Sequence, residues 1–446
     1  MRIHILALFL AFSVSIQSGL AQSLLHLDGE EATSIGIYIK DLRTGKVIAQ
    51  QNPQLALTPA SVMKAVTTAT ALSICGADTC FTTAVGLSGK VNDGVCHGDL
   101  VVSSCADPTL ESDNFKNNKG FCDRVVAALR DRGIRRIEGT IVVDQRLRDA
   151  GPNLQWEVED IAWSYGAALH GFNWRDNTVT VTPATGEVVP EAPGLEVCVE
   201  KAADNDIVRG AFSNRLTIFV RDPDKKDWKE NVTVPDPAAV FTCQMRRALE
   251  NAGIEVGDVR ACADTSFTTV YIHRSPIFGD IMHSLMVRSD NLFAEGMLRS
   301  IAPASSRETA IKRERALWQE RGVSPRHATI KDGSGLARSN RLTPLFIASV
   351  LEWMAKSPMG DTYTSFFPRA GKEGTMRGFL AKSPLAGSIA LKTGSVGGVQ
   401  CYAGYKFDNN DKPTHVIVIM VNSFFCPRRQ VRTASEKLLK DLFLKK

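Results

Sequence analysis

Three short stretches of this 446-residue chain hold residue types suited to acyl transfer: Ser61-Val62-Met63-Lys64, Ser289-Asp290-Asn291 and Lys392-Thr393-Gly394. A serine hydroxyl is a poor nucleophile until a base takes its proton. Three residues apart on a helix, Ser61 and Lys64 face the same way. Lysine can act as that base once its pKa falls, which burial and a nearby cation such as Lys392 both promote. Ser289 can pass the proton to a leaving amine, and Asn291 can hold the lysine and a substrate amide. Lys392 and Thr393 can clamp a carboxylate, and Gly394 admits a substrate backbone at close range. Backbone N–H groups of Ser61 and Ser395 can then cradle the oxyanion. Ser-x-x-Lys alone is common; the three motifs in this order are not.

The elements that must carry these residues are legible as periodicities. Ile35, Ile37 and Ile39 alternate, and Val47 and Ala49 resume the pattern after a turn, which predicts a β-hairpin. Thr58-Pro59 reads as an N-cap followed by a first-turn proline, opening a helix to about Ile74. That helix has almost no polar face, so it is expected to be buried. Short β-like runs fill 81–268, read as one inserted module or two nested ones. Helices are expected over about 276–300, 307–321 and 344–355, strands over 388–393, 399–407 and 415–421, and a final helix over 428–443. Val431, Ala434, Leu438 and Leu442 form its apolar stripe; its basic residues Arg428, Arg432 and Lys440 could touch a membrane, but packing on the sheet is preferred. A second Ser-Asp-Asn, Ser112-Asp113-Asn114, follows a strand and a turn; the copy at Ser289 runs into a helix-compatible segment and is the one assigned to the site. Asp290 is read as structural, and Lys331, Asp332 and Arg338 as solvated charges in a glycine-rich turn.

Composition bounds the rest. At ~150 residues per domain the length suggests about three domains. Lys plus Arg (53) exceed Asp plus Glu (48) by only 5, too small a surplus to argue for nucleic acid. Residues 1–21 read as a secretory signal peptide: Arg2 and His4 precede the apolar run Ile5–Ile16, and Gly19-Leu20-Ala21 supplies small residues for cleavage. The run is short for a membrane span of ~20 residues, so export without a transmembrane anchor is expected. Ten cysteines permit disulfides, with Cys75–Cys80 and Cys96–Cys105 as local candidates among many pairings. There is no CxxC pair, no HExxH and no Walker motif, so neither a metal nor an organic cofactor is expected.

With the motifs in place, the chain resembles the low-molecular-mass class C penicillin-binding proteins, the D-alanyl-D-alanine carboxypeptidase/endopeptidase family. Ser289–Glu295 (SDNLFAE), Lys331–Pro344 (KDGSGLARSNRLTP), Lys392–Tyr405 (KTGSVGGVQCYAGY) and Gly374-Thr375-Met376-Arg377 read like its sequence blocks. The resemblance implies an α/β (α+β) fold: a serine β-lactamase/transpeptidase-like domain with an antiparallel sheet, flanking helices and a helical lobe, in two parts (22–80 and 269–446) around the large β-rich insertion 81–268. It implies Ser61 as nucleophile, Lys64 as base, Ser289 as proton relay, Asn291 as amide anchor and Lys392 as electrostatic partner. Thr393 and Ser395 would bind substrate carboxylate and amide groups. Within Trp156–Tyr165 (WEVEDIAWSY), Asp160 would meet the cationic end of a stem-peptide side chain. The implied activity is hydrolysis of D-Ala-terminated or crosslinked peptidoglycan stem peptides through an acyl-enzyme, with β-lactams as acylating inhibitors, in the periplasm or another extracytoplasmic space. A serine β-lactamase is the nearest alternative, but such enzymes carry far less chain between the first two motifs. A silent wall-binding protein would not need the complete Ser61, Lys64, Ser289, Asn291 and Lys392 set. Homo-oligomerisation is left open.

Overall fold

The computed structural model describes residues 23–145, 147–225, 227–262 and 266–444. The expected signal peptide, 1–21, lies outside the described residues. A five-stranded antiparallel sheet runs in the order Ile389–Val396, Val399–Phe407, Pro413–Asn422, Ser34–Asp41, Val47–Gln51. Its middle is buried on both faces, which explains the uninterrupted apolar run 416–421. Val416, Val418 and Met420 enter the core shared with the helical lobe, whereas Ile417, Ile419 and Val421 face the opposite core. Ile35, Ile37 and Ile39 join that second core, together with Val431, Leu438 and Leu439 of the final helix, Arg428–Leu444. The final helix therefore packs its apolar stripe on the sheet.

On the other face the helix Met63–Cys75 is surrounded. Residues 63–72 are all buried, Lys64 included. Phe278–Arg288, Asn291–Ser300, Arg307–Glu320 and Pro344–Lys356 supply the surrounding lobe. The single helix expected over 276–300 is two, broken at Ser289-Asp290. Ser289 has φ +64 and ends the first helix, and the Asp290 carboxylate accepts the Phe293 N–H at 2.9 Å as N-cap of the second. The structural reading of Asp290 fits this cap.

The inserted stretch contributes a four-stranded sheet in the order Thr268–Arg274, Thr82–Leu87, Leu100–Ser104, Ile141–Gln145. Three further sheets, two of three strands and one of four very short strands, and the helices Phe121–Arg130 and Pro237–Asn251 share one hydrophobic cluster with it. A border at 268/269 would cut a paired strand, and the pairing carries it to Arg274. The helix 237–251 was not expected, although Asp236-Pro237 announces it: the Asp236 carboxylate accepts from the Ala238 and Ala239 N–H groups. All ten cysteines are unpaired. Cys96 faces the Ser88 carbonyl, Cys105 the Thr82 backbone and Cys75 Ser300, so neither local disulfide candidate is formed.

Candidate active site

The helix expected from Thr58 starts later. Pro59 leads into a 3-10 turn, Ala60–Val62, and α-helix begins at Met63. Thr58 is not its cap. Its N–H donates to Asn422 Oδ1 (2.7 Å) and its hydroxyl to the Arg338 carbonyl (3.3 Å), tying the Ser61 turn to the sheet and to the 331–344 loop. Ala60 is held at φ +46, a left-handed conformation costing a residue with a Cβ ~1–2 kcal/mol. Two glycines clamp that turn. A Cβ on Gly335 would lie 1.9 Å from the Ala60 carbonyl oxygen. One on Gly394 would lie 2.4 Å from the Pro59 carbonyl oxygen and 3.1 Å from the Ser61 nitrogen. Gly394 thus closely approaches the turn carrying Ser61.

Lys64 Nζ lies 2.9 Å from Ser61 Oγ, 2.5 Å from Asn291 Oδ1 and 2.6 Å from the Ser334 carbonyl oxygen. Burial lowers its pKa to about 8, against the opposing pull of Asp332, Asp290 and Glu295. Asn291 turns its amide nitrogen to the Tyr165 carbonyl (2.7 Å), so the insertion is joined directly to the site. Lys392 is also fully buried. Its amine donates to Ser289 Oγ (2.9 Å) and to the Thr393 carbonyl (2.7 Å). Burial and, next, the field of Lys64 hold its pKa well below the usual lysine range. Ser289 therefore meets Lys392 directly, with the left-handed turn at the helix break aiming its hydroxyl inward.

The loop after Lys331 is not a solvated turn. Asp332 is fully buried, and its carboxylate accepts from the Gly335 and Ala337 N–H groups, Asn340, the Ser334 hydroxyl and Trp156 Nε1. For Asp332 the expectation failed because acid, glycine and serine in one run mimic a surface turn, whereas here the carboxylate organises the loop; Lys331 is exposed and Arg338 half-buried. Glu295 completes the frame by accepting from the Gly333 and Ser334 N–H groups, each at 2.9 Å. The peptide whose carbonyl holds Lys64 is therefore fixed by Asp332, which accepts its Gly335 N–H, and by Glu295, which holds the two peptides before it. Glu295 and Ser334 were missed as site residues; a lone acid within the apolar run after Asn291 was the available signal.

Ser61, Ser289 and Ser395 lie where two clefts meet. One, of about 440 Å3, is lined by Thr375, Thr393, Gln400, Tyr402, Phe379 and the arginines Arg428, Arg429 and Arg432. The other, of about 610 Å3, is lined by Asn291, Arg338 and the insertion's Glu159, Asp160, Trp163, Tyr165 and Asp206. Thr393 bonds Thr375, Ser395 bonds Gln400 Oε1, and Asp160, its pKa raised by burial, accepts from the Tyr165 hydroxyl at 3.0 Å. Ser112-Asp113-Asn114 lines neither cleft. The strand bearing Lys392 is the sheet edge. Its first half is covered, since Ala370 N–H and Leu391 N–H bond across to Ile389 and Pro368, while Thr393–Val396 lies open to the clefts.

A serine bonded to a buried lysine, between a buried helix and the open end of an edge strand, is the arrangement of a serine acyl hydrolase of the transpeptidase fold. The chain belongs to the D-Ala-D-Ala carboxypeptidase 3 (S13) family, which it matches over residues 17–440, and it is a serine-type D-Ala-D-Ala carboxypeptidase. It is 27% identical over 410 residues to the D-alanyl-D-alanine carboxypeptidase DacB of Haemophilus influenzae, covering 84% of this chain and 82% of the relative. Identity is 28% over 419 residues to the D-alanyl-D-alanine carboxypeptidase of Actinomadura sp., covering 84% and 75%. The crystal structure of penicillin-binding protein 4 (dacB) from H. influenzae superposes with a TM-score of 0.80 at 23% identity, covering 94% of this chain and 98% of that one. That protein has also been solved complexed with a β-lactam (TM-score 0.75, 22% identity, covering 94% and 98%).

Proposed function

We propose that Ser61 is the nucleophile and Lys64 its base in hydrolysis of the peptide bond after D-alanine in peptidoglycan stem peptides. The observation that carries this is the bonding of Lys64. A neutral amine has two hydrogens and one lone pair. The Asn291 and Ser334 oxygens are acceptors only, so they take both hydrogens and leave the lone pair for the Ser61 O–H. The Ser61 Oγ–carbon bond then forms while the carbon–nitrogen bond breaks. The proton taken from Ser61 passes by way of Lys64 and Ser289 to the departing amine, and water cleaves the ester in the second half-reaction. The substrate lies along the open edge Thr393–Val396 as an added strand. Thr393 and Thr375 receive the carboxylate beside the scissile bond, and the Ser61 and Ser395 N–H groups receive the oxyanion. The stem's acyl side runs into the other cleft, where Asp160 receives a cationic side chain.

Both carboxypeptidase and endopeptidase reactions are open to such a site, and a β-lactam carries the strained amide and carboxylate it needs to acylate Ser61. Residues 1–21 direct the chain across a membrane to the periplasm or its equivalent; among the described residues no helix is long and apolar enough to span one. The test is to incubate the purified protein with pentapeptide monomers and crosslinked dimers, and separately with labelled penicillin, and to read products and the labelled residue by mass. Label on Ser61 and release of D-alanine or monomers are expected. A protein that releases neither and stays unlabelled would overturn the reading.

A further inference from the structure

The two clefts that meet at Ser61 carry opposite charge. The cleft on the acyl side is lined by Glu159, Asp160 and Asp206 with two arginines. The cleft holding Thr393 is lined by Arg428, Arg429 and Arg432 and by no carboxylate. A lone D-alanine leaving group carries one carboxylate, and the hydroxyls of Thr393 and Thr375 already offer it partners. Three guanidinium groups are more than it can use.

The arginines are held differently. Arg428 is anchored, donating to the Val396 carbonyl (2.8 Å) and, at 3.3 Å, to the Val399 carbonyl and Gln400 Oε1. Arg432 is shared with Glu436 on the next turn of the same helix (3.1 Å). Arg429 is exposed and has no side-chain partner among the described residues. Below them the rings of Phe379 and Tyr402 pack at a tilt with centres 4.7 Å apart, giving the cleft an apolar floor under a cationic rim. Its volume, about 440 Å3, exceeds what one alanine fills.

We propose that this cleft is a leaving-group subsite selecting an acceptor peptide with more than one carboxylate, so that the enzyme favours crosslink cleavage over release of a single D-alanine. The inference rests on the proposed function and adds a charge preference on the departing side. In a crosslinked dimer the departing amine belongs to a second stem peptide. Its carboxylates can reach past Thr393 to Arg429 and Arg432 while its backbone covers the aromatic floor. The apolar floor favours peptide over inorganic anions.

The experiment compares kcat/KM of the full chain and of Arg429→Glu and Arg432→Ala on three substrates: a D-Ala-D-Ala-ended pentapeptide, a crosslinked dimer, and the same dimer with its acceptor carboxylates amidated. Amidation is expected to lower kcat/KM of the unaltered protein about tenfold. Arg429→Glu is expected to lower the dimer-to-pentapeptide ratio about tenfold, and the preference for the unamidated dimer is expected to weaken at high salt. The rate of penicillin acylation reports whether each variant is folded. Equal rates on amidated and unamidated dimers, or variants that lower all three substrates in proportion, would overturn the subsite. If no form cleaves any substrate or takes penicillin, the proposed function itself has failed, and the subsite with it.

Discussion

Lys64 and Ser334 meet through a side-chain amine and a backbone carbonyl 2.6 Å apart, so the lysine is anchored by a peptide group rather than by a counter-ion. Asp332 accepts the Gly335 N–H of that peptide group at 2.8 Å, and Glu295 holds the two N–H groups before it. The nearest carboxylates act on the lysine only through space, and burial outweighs them.

A pH profile follows. The pKa of Lys64 is lowered to about 8, and with its neutral form as the proposed base, acylation should quicken as pH rises and level off above about 8. Below that point the rate should change about tenfold per pH unit. Rapid-mixing measurement of acylation by a fluorescent penicillin would show this; a plateau already reached by pH 6 contradicts it.

Gly394→Ala places a Cβ against the Pro59 carbonyl and the Ser61 nitrogen. Strand and turn must then part, and misplacing a reacting group by about 1 Å can cost on the order of 100-fold. Acylation is expected to fall by that order while circular dichroism stays native. A variant that acylates at the normal rate would show that this contact does not set the position of Ser61.

Asp160→Asn removes a negative charge from the acyl-side cleft. KM is expected to rise about tenfold for stem peptides with a free side-chain amine, and little for the same peptides with that amine acetylated. Equal effects on both would dismiss Asp160 as a charge partner.

Glu314 is fully buried beneath the helix 63–75, and burial pushes its pKa up to about 7 from 4.5. A carboxyl raised on folding contributes stability that is complete below its unfolded value and lost as pH rises through about 7. Glu314→Gln should therefore leave stability nearly unchanged at pH 4.5 and raise it by about 1–3 kcal/mol at pH 8. Urea unfolding at the two pH values checks this; equal effects at both would contradict it.

The placement of the three motifs was legible in the sequence because each follows one local rule. Ser61 and Lys64 sit a helical turn apart, Ser289-Asp290-Asn291 breaks one helix and caps the next, and Lys392-Thr393-Gly394 lies on a strand. What escaped depends on partners distant along the chain. Asp332 looked solvated because its partners are mostly backbone N–H groups of its own loop, which composition does not show. Arg428 and Arg432 were visible as a basic face. Only the packing of the final helix beside Phe379 and Tyr402 turns that face into the wall of a cleft. Gly394 reads as a point of close approach, and the structure sets it against Pro59, more than 300 residues away in sequence.

The pairing of Ser34–Asp41 with Pro413–Asn422 brings the beginning and the end of the described chain side by side in the middle of the sheet. Such a pairing cannot form until the chain has been synthesised through residue 422, and contacts of this span slow folding. The Ser61 turn leans on Asn422 of that last strand. A growing chain that has not reached residue 422 would thus hold Ser61, Lys64, Ser289, Asn291 and Lys392 without the strand that steadies the turn carrying the first of them.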